Sequence, residues 1–210
     1  MTAPELSTER LILRRWRETD RAAFHELNSD PTVMATIGPV MNRARSDAFM
    51  NRIEQHFDEH GHGVWCVEYE GRSIGYTGFM VPWFRDGVEI GWRIRSDLWG
   101  RGIAPEAARE CLRHGFEDLG FDEVLSFTAA TNANSRRVME KIGLSRDLDG
   151  DFDHPGVPDG SSLKPHVLYR LDRLGWSATR ALRSTTGPAP GHGDPAEGRR
   201  EPADEYRDRP

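Results

Sequence analysis

Lysine is almost missing from this 210-residue chain: only Lys141 and Lys164 occur, so arginine carries nearly all the positive charge. We read that as compositional bias without functional content. Basic residues are also in deficit. There are 28 Lys and Arg against 34 Asp and Glu, a formal charge of -6. A general nucleic-acid binder needs a basic face to neutralise phosphates, and a protein of anionic membrane surfaces needs a similar excess. The balance argues against both and is compatible with a cationic or amine substrate. Cysteine is scarce too. Cys66 and Cys111 are too few and too far apart for a disulfide framework or a zinc site. No uncharged run approaches the ~18–20 apolar residues of a membrane span. Residues 1–20 carry Glu5, Glu9, Arg10, Arg14, Arg15 and Arg17 instead of the apolar core of a secretory leader. The expectation is a soluble, reduced, cytoplasmic protein.

What is present alternates strand and helix signals over residues 1–175. Arg10–Trp16 alternates like a half-buried strand. Thr19 or Asp20 is placed to cap a short helix carrying Ala23, Phe24 and Leu27, and Ser46 a second with Phe49, Ile53 and Phe57 on one stripe. Val64–Glu70 and Ser73–Val81 flank Gly71 as a hairpin, and Val88–Arg95 follows as another strand. Pro105–Leu119 reads as a helix with Ala108, Cys111, Leu112, Phe116 and Leu119 on its buried face, stopped by Gly120. A strand at Glu123–Ala130, a helix at Ser135–Ile142 ended by Gly143, and a last strand at Val167–Leu171 complete the order β-α-α-β-β-β-α-β-α-β. The predicted fold class is α/β (α+β): a mixed, mostly antiparallel central sheet flanked by helices. From Trp176 to Pro210 proline and glycine recur and aromatics nearly vanish. That segment reads as a disordered tail with a short helix near Ala178–Arg183, because it cannot bury enough apolar surface to offset its ordering entropy.

The informative stretch is EIGWRIRSDLWGRGIAPEA, Glu89–Ala107. A strand runs through the loop Trp99-Gly100-Arg101-Gly102-Ile103-Ala104 straight into a helix. Gly100 and Gly102 let a ligand approach the backbone. The first helical N–H groups lack internal partners and, with the helix dipole, form an anion site. Arg101 adds positive charge. An ordinary strand-to-helix turn has the same outline. Two familiar phosphate loops fail: there is no Lys-Ser/Thr end for a P-loop, and Pro105 stands where G-x-G-x-x-G requires its third glycine.

A second segment, Asn132 to Leu144 (NANSRRVMEKIGL), follows the Val124–Ala130 strand. Together the two segments resemble the GNAT superfamily of acyl-CoA-dependent N-acetyltransferases, and most nearly its RimJ/RimL-type subgroup, which includes acetyltransferases of ribosomal-protein N-terminal alanines. The resemblance covers about residues 8–172. In the family pattern Gln/Arg-x-x-Gly-x-Gly/Ala, Gly102 and Ala104 match, but Trp99 stands at the Gln/Arg position. Asn132, Ser135, Glu140, Lys141 and Gly143 match the second pattern.

The resemblance implies acetyl-CoA as co-substrate and an amine acceptor, either a small molecule or a peptide N-terminus. It implies that the backbone of Trp92, Arg93 and Ile94 pairs with the pantetheine arm. Amides of Gly100, Arg101, Gly102, Ile103 and Ala104 would hold the pyrophosphate. Asn132 and Ser135 would flank the arm, with Ser135 placed to protonate the departing sulfur. Asn132 is equally suited to cap its helix. Acetyl transfer to an ammonium requires its deprotonation, so Glu89 is the preferred base; a strand charge that organises its surroundings is the alternative. No metal, nucleic acid or membrane is implied, and the protein is expected to be a monomer or homodimer. A catalytically degenerate acyl-CoA sensor is the competing function, motivated by Trp99.

Other polar and aromatic residues carry weaker signals. His56, His60 and His62 have a spacing that metal ligands use, but nothing nearby completes a set, so they read as a surface helix. By the same resemblance Asp151, Asp153, His154 and His166 would border the acceptor pocket; a role in the loop turns is the alternative reading. Trp65, Phe79, Trp83 and Phe84 are candidates for an acceptor groove, although strand aromatics more often belong to the core.

Overall fold

The computed structural model describes residues 3–185, with side chains through residue 181. An eight-stranded sheet runs in the order β1-β2-β3-β4-β5-β6-β8-β7. Its strands are β1 Leu6–Ser7, β2 Leu11–Arg14, β3 Val64–Tyr69, β4 Arg72–Met80, β5 Glu89–Ile94, β6 Glu123–Ala129, β7 Ser145–Asp153 and β8 Pro165–Asp172. Every neighbour pair is antiparallel except β5 and β6. Helices α1 Arg21–Ser29, α2 Pro31–Met34 and α3 Arg43–His60 gather on one face. Helix α4, Ile103–Arg113, packs on the other face beside α5, Ala133–Ile142, and α6 is Arg173–Thr185. The expected mixed, mostly antiparallel sheet flanked by helices is the observed architecture.

Several local expectations change. Helix α3 begins three residues before Ser46: Asn42 is its cap and accepts from the Arg45 amide at 2.9 Å. Ser46 is buried inside the helix, where its hydroxyl accepts from Asn28 Nδ2. Asp20 does not cap α1. Its carboxylate takes a bidentate pair from buried Arg14, at 2.7 and 3.0 Å, together with the Arg17 amide. The helix expected from Pro105 begins at Ile103 and ends at Arg113 in a π turn, His114–Asp118. Gly115 makes that turn possible, because a Cβ there would stand 2.7 Å from Phe79 Cζ.

Strand β7 was not expected, and its sequence SRDLDGDFD explains why: it is acidic and contains glycine, both disfavoured in strands. It is an edge strand held by β8, with Arg170 of β8 reaching Asp147 at 2.7 Å. Helix α6 crosses the expected boundary between residues 175 and 176. Trp176 is buried and stacks on Phe116 at 5.6 Å, and Arg180 pairs with Glu117. The remainder of the expected tail, residues 186–210, lies outside the described residues.

Candidate active site

The site follows from one defect in the sheet. Parallel strands β5 and β6 pair at a single register position, Glu89 opposite Leu125. Leu125 donates its amide to the Val88 carbonyl, and the Ser126 hydroxyl donates to the Ile90 carbonyl, both at 2.8 Å. Beyond that point the strands separate, and a cavity of about 810 Å³ opens between them. Of the residues expected there, Glu89, Trp92, Arg93, Ile94, Gly100, Gly102, Ile103, Ala104, Asn132 and Ser135 all line it. Arg101 does not. Its side chain is exposed, and its carbonyl accepts from Arg10 Nη2 at 3.2 Å.

Strand phase decides which peptide groups face the gap. Antiparallel partners alternate in hydrogen bonding. The Arg95 amide donates to Ile74 on the β4 side, which places Arg93, Gly91 and Glu89 in the same phase, turned to β4. Ile90, Trp92 and Ile94 therefore turn toward the gap. Arg93 brings its side chain to the cavity and its peptide groups to β4. The Ile94 carbonyl is already taken by the Trp99 indole N–H at 2.8 Å. Trp99 thus staples the loop to the end of β5.

At the end nearest α4, Gly100 and Gly102 sit at φ +80° and +77°, the left-handed region that glycine enters without strain. Among the described residues nothing fills the space beside Gly100. Gly102 is the cap of α4 and has no side chain to offer the helix. Among the described residues no acceptor takes the amides of Gly102, Ile103 or Ala104. Glu106 in the first turn would oppose an anion, but Arg10 pairs with it at 2.5 Å and the Thr8 hydroxyl donates to it as well. The result is a concave cluster of free N–H groups at a positive helix end, suited to phosphate oxygens. Arg137 and Lys141 of α5 line the same cavity: Lys141 is one of the residues that match the second sequence pattern, and Arg137 was not singled out. Asn132 caps α5, accepting from the Ser135 amide at 3.1 Å and donating to Thr128 Oγ1. Among the described residues the Ser135 hydroxyl has no partner.

The opposite end lies on the face covered by α1–α3. Tyr76, Met80, Glu89, Gly91, Arg93, Phe127, His154 and His166 line it. Burial pushes the Glu89 carboxyl up to about 8, and no hydrogen bond or ion pair among the described residues holds it ionised. His154 and His166 stand 4.8 Å apart by ring centroid, and burial lowers both, so both are neutral near pH 7. The expected acceptor aromatics are placed differently. Trp65 and Phe79 are fully buried in the core, and Trp83 and Phe84 stay outside the cavity lining. Phe84 instead backs the wall, packing on Phe127 and His154. His56, His60 and His62 pack ring against ring at 4.3 to 5.8 Å rather than forming a surface helix face, and His56 and His62 are buried.

Known proteins are similar in sequence and in fold. Residues 10–145 match the family model described as Acetyltransferase (GNAT) domain. The chain is 30% identical over 184 residues to the FsC-acetyl coenzyme A-N(2)-transacetylase of Aspergillus fumigatus, covering 82% of this chain and 78% of that protein. It resembles the structure of a GNAT-family acetyltransferase from Bacillus anthracis with a TM-score of 0.68 and 28% identity, over 81% of this chain and 99% of that one. RimL, the ribosomal L7/L12 alpha-N-protein acetyltransferase, superposes with a TM-score of 0.68 at 12% identity, over 80% of this chain and 98% of that one. At that identity the likeness to RimL is one of fold, and the RimJ/RimL subgroup does not follow from it. A sheet parted between β5 and β6, an uncapped α4 and a matching sequence model over most of the domain lead to one assignment: the chain belongs to the GNAT acetyltransferase family.

Proposed function

We propose that this protein transfers an acetyl group from acetyl-CoA to an amine nitrogen by direct attack, with no covalent intermediate on the enzyme. One observation carries the reading. A single cleft runs from the open amides of α4 to a desolvated carboxyl on the far face of the sheet.

The roles divide along that cleft. Amides of Gly102, Ile103 and Ala104 would hold the pyrophosphate, with Arg137 and Lys141 placed to add positive charge. Peptide groups of Trp92 and Ile94 face the path of the pantetheine arm, which would extend the sheet as an added strand. Acetyl-CoA, when bound, supplies the thioester. Glu89 takes a proton from the ammonium of the acceptor, for which a carboxyl near 8 is well matched. The amine nitrogen then bonds to the carbonyl carbon and the C–S bond breaks; Ser135 is the candidate donor of a proton to the sulfur, and the second proton shed by the nitrogen restores its hydroxyl. A backbone N–H of the parted strand can hold the developing oxyanion.

The sensor reading has one observation in its favour: Trp99 occupies the Ile94 carbonyl that a coenzyme arm would otherwise use. The half-buried Glu89 favours turnover, because a sensor has no use for a carboxyl whose desolvation opposes folding. A thiol-release assay with acetyl-CoA against a panel of primary amines and N-terminal peptides tests the proposal. Amine-dependent release of CoA is expected. Release that no amine accelerates, in protein that binds acetyl-CoA, would leave the sensor.

A further inference from the structure

The proposed reaction leaves one buried charge without an explanation. Arg93 is only 7% exposed, yet no carboxylate among the described residues pairs with it. Its Nη1 donates to the Asn28 side-chain carbonyl, and its guanidinium lies over the Tyr76 ring at 5.2 Å. Its Nε is buried with no partner. The other buried arginine, Arg14, has two carboxylates, Asp20 and Glu68. Buried cations are ordinarily matched by an anion, since desolvating an unpaired charge is costly. The cavity lining carries Arg93, Arg137 and Lys141 against one carboxyl, Glu89, although the whole chain is acidic.

Geometry puts Arg93 with the acceptor. It shares a face of β5 with Glu89, four residues away, with only Gly91 between them on that face. A Cβ on Gly91 would meet nothing nearer than Glu89 Oε1 at 4.0 Å, so the floor between the two side chains is open. Gly78, opposite Gly91 on β4, also lines the cavity. The α4 amides and the α5 cations sit on the other face of the sheet.

Resting on the acetyltransferase reading, we propose that Arg93 binds a carboxylate of the acceptor, so that the preferred substrates are amines bearing a carboxylate several bonds from the reacting nitrogen. Four residues of strand separate the Cα atoms of Glu89 and Arg93 by about 13 Å. That spacing suits an acceptor whose amine and carboxylate lie apart more than one with both on a single carbon. A guanidinium fork is matched in shape and charge to a carboxylate.

The experiment compares matched acceptors, 6-aminohexanoate and hexylamine, with 6-aminohexylphosphonate as a second anion. Each is assayed with wild type, Arg93→Gln and Asn28→Asp, alongside calorimetric titration of acetyl-CoA into each protein. In wild type, kcat/KM is expected to favour the carboxylate over hexylamine by about 30-fold or more. Arg93→Gln removes that preference through KM and leaves acetyl-CoA affinity within about twofold. Asn28→Asp keeps the arginine and gives it an internal carboxylate. It raises KM for 6-aminohexanoate while holding hexylamine steady and raising the melting temperature, which a purely structural Arg93 would not produce. Equal use of the matched amines by wild type overturns the proposal, as does loss of acetyl-CoA affinity in Arg93→Gln with discrimination intact. A preference for the phosphonate over the carboxylate overturns the carboxylate assignment. If no amine turns over, calorimetry of 6-aminohexanoate into the acetyl-CoA-loaded protein decides: no binding overturns the inference. In that case acetyl-CoA binding alone separates its failure from that of the coenzyme site.

Discussion

At Glu89, burial acts on catalysis and on stability in opposite directions. A carboxyl near 8 accepts a proton from an ammonium more readily than one near 4, but its ionised form opposes folding. The unfolded chain would release that proton near pH 4.3. The native state holds it up to about 8, so Glu89 makes stability fall as pH rises across that window. Glu89→Gln is therefore expected to lower kcat by about 10²–10⁴-fold and to flatten the ascending limb near pH 8 in the rate profile. It should melt above wild type at pH 8, with the difference closing near pH 4; differential scanning calorimetry at both pH values checks this. Gly102 makes the same point for backbone. A residue with a Cβ held at φ +77° is strained by roughly 1–2 kcal/mol. Gly102→Ala is expected to weaken acetyl-CoA binding about tenfold while changing kcat less, read from initial rates. The placement of Glu89 and the two glycines along the cleft was legible from sequence because it follows from position in a strand-loop-helix motif. The Arg93 side chain was not, because its direction depends on strand phase and its missing counter-ion is a tertiary fact.

Elements with a strong periodic pattern were legible: α1, α4, α5 and strands β3 to β6 arise where apolar residues recur at helical or alternating spacing. Those held by tertiary contacts were not. Strand β7 depends on β8 and on Arg170, and the Asn42 cap of α3 competed with a nearby serine that the fold buries. The link between β2 and α1 is another such contact. Arg14 binds Asp20 and Glu68 at 2.6 to 3.0 Å in a nearly dry setting. Asp20→Asn leaves Arg14 short of charge and is expected to destabilise by about 3 kcal/mol, measured by urea unfolding. Asp20 is held below the usual carboxylate range, by Arg14 and the Arg17 amide acting against burial. Its contribution is complete above the unfolded value near pH 3.9 and is lost as pH falls through the folded one.

The parted sheet belongs to the whole molecule. No local signal announces that β5 and β6, separated by α4, will pair once and then diverge, yet this sets the cleft. A second global property is acid sensitivity. Burial, helped by neighbouring histidines, holds His56 and His62 at about 4. Their unfolded counterparts take protons near 6.5. The unfolded chain gains protons first as pH falls, so stability present above 6.5 is lost toward pH 4. Glu89 gains stability over the same range and offsets part of this loss. Urea unfolding of Glu89→Gln, which lacks that offset, should show a loss on the order of 3 kcal/mol from about pH 6.5 to about pH 4, and adding His62→Phe should flatten the slope. The joining of coenzyme cradle and carboxyl in one cleft is tested most directly by calorimetric titration of acetyl-CoA, with CoA and NAD as comparisons. Saturable binding of acetyl-CoA and CoA without NAD, weakened in Gly102→Ala, is the predicted result. Well-folded protein that binds no CoA species would contradict it.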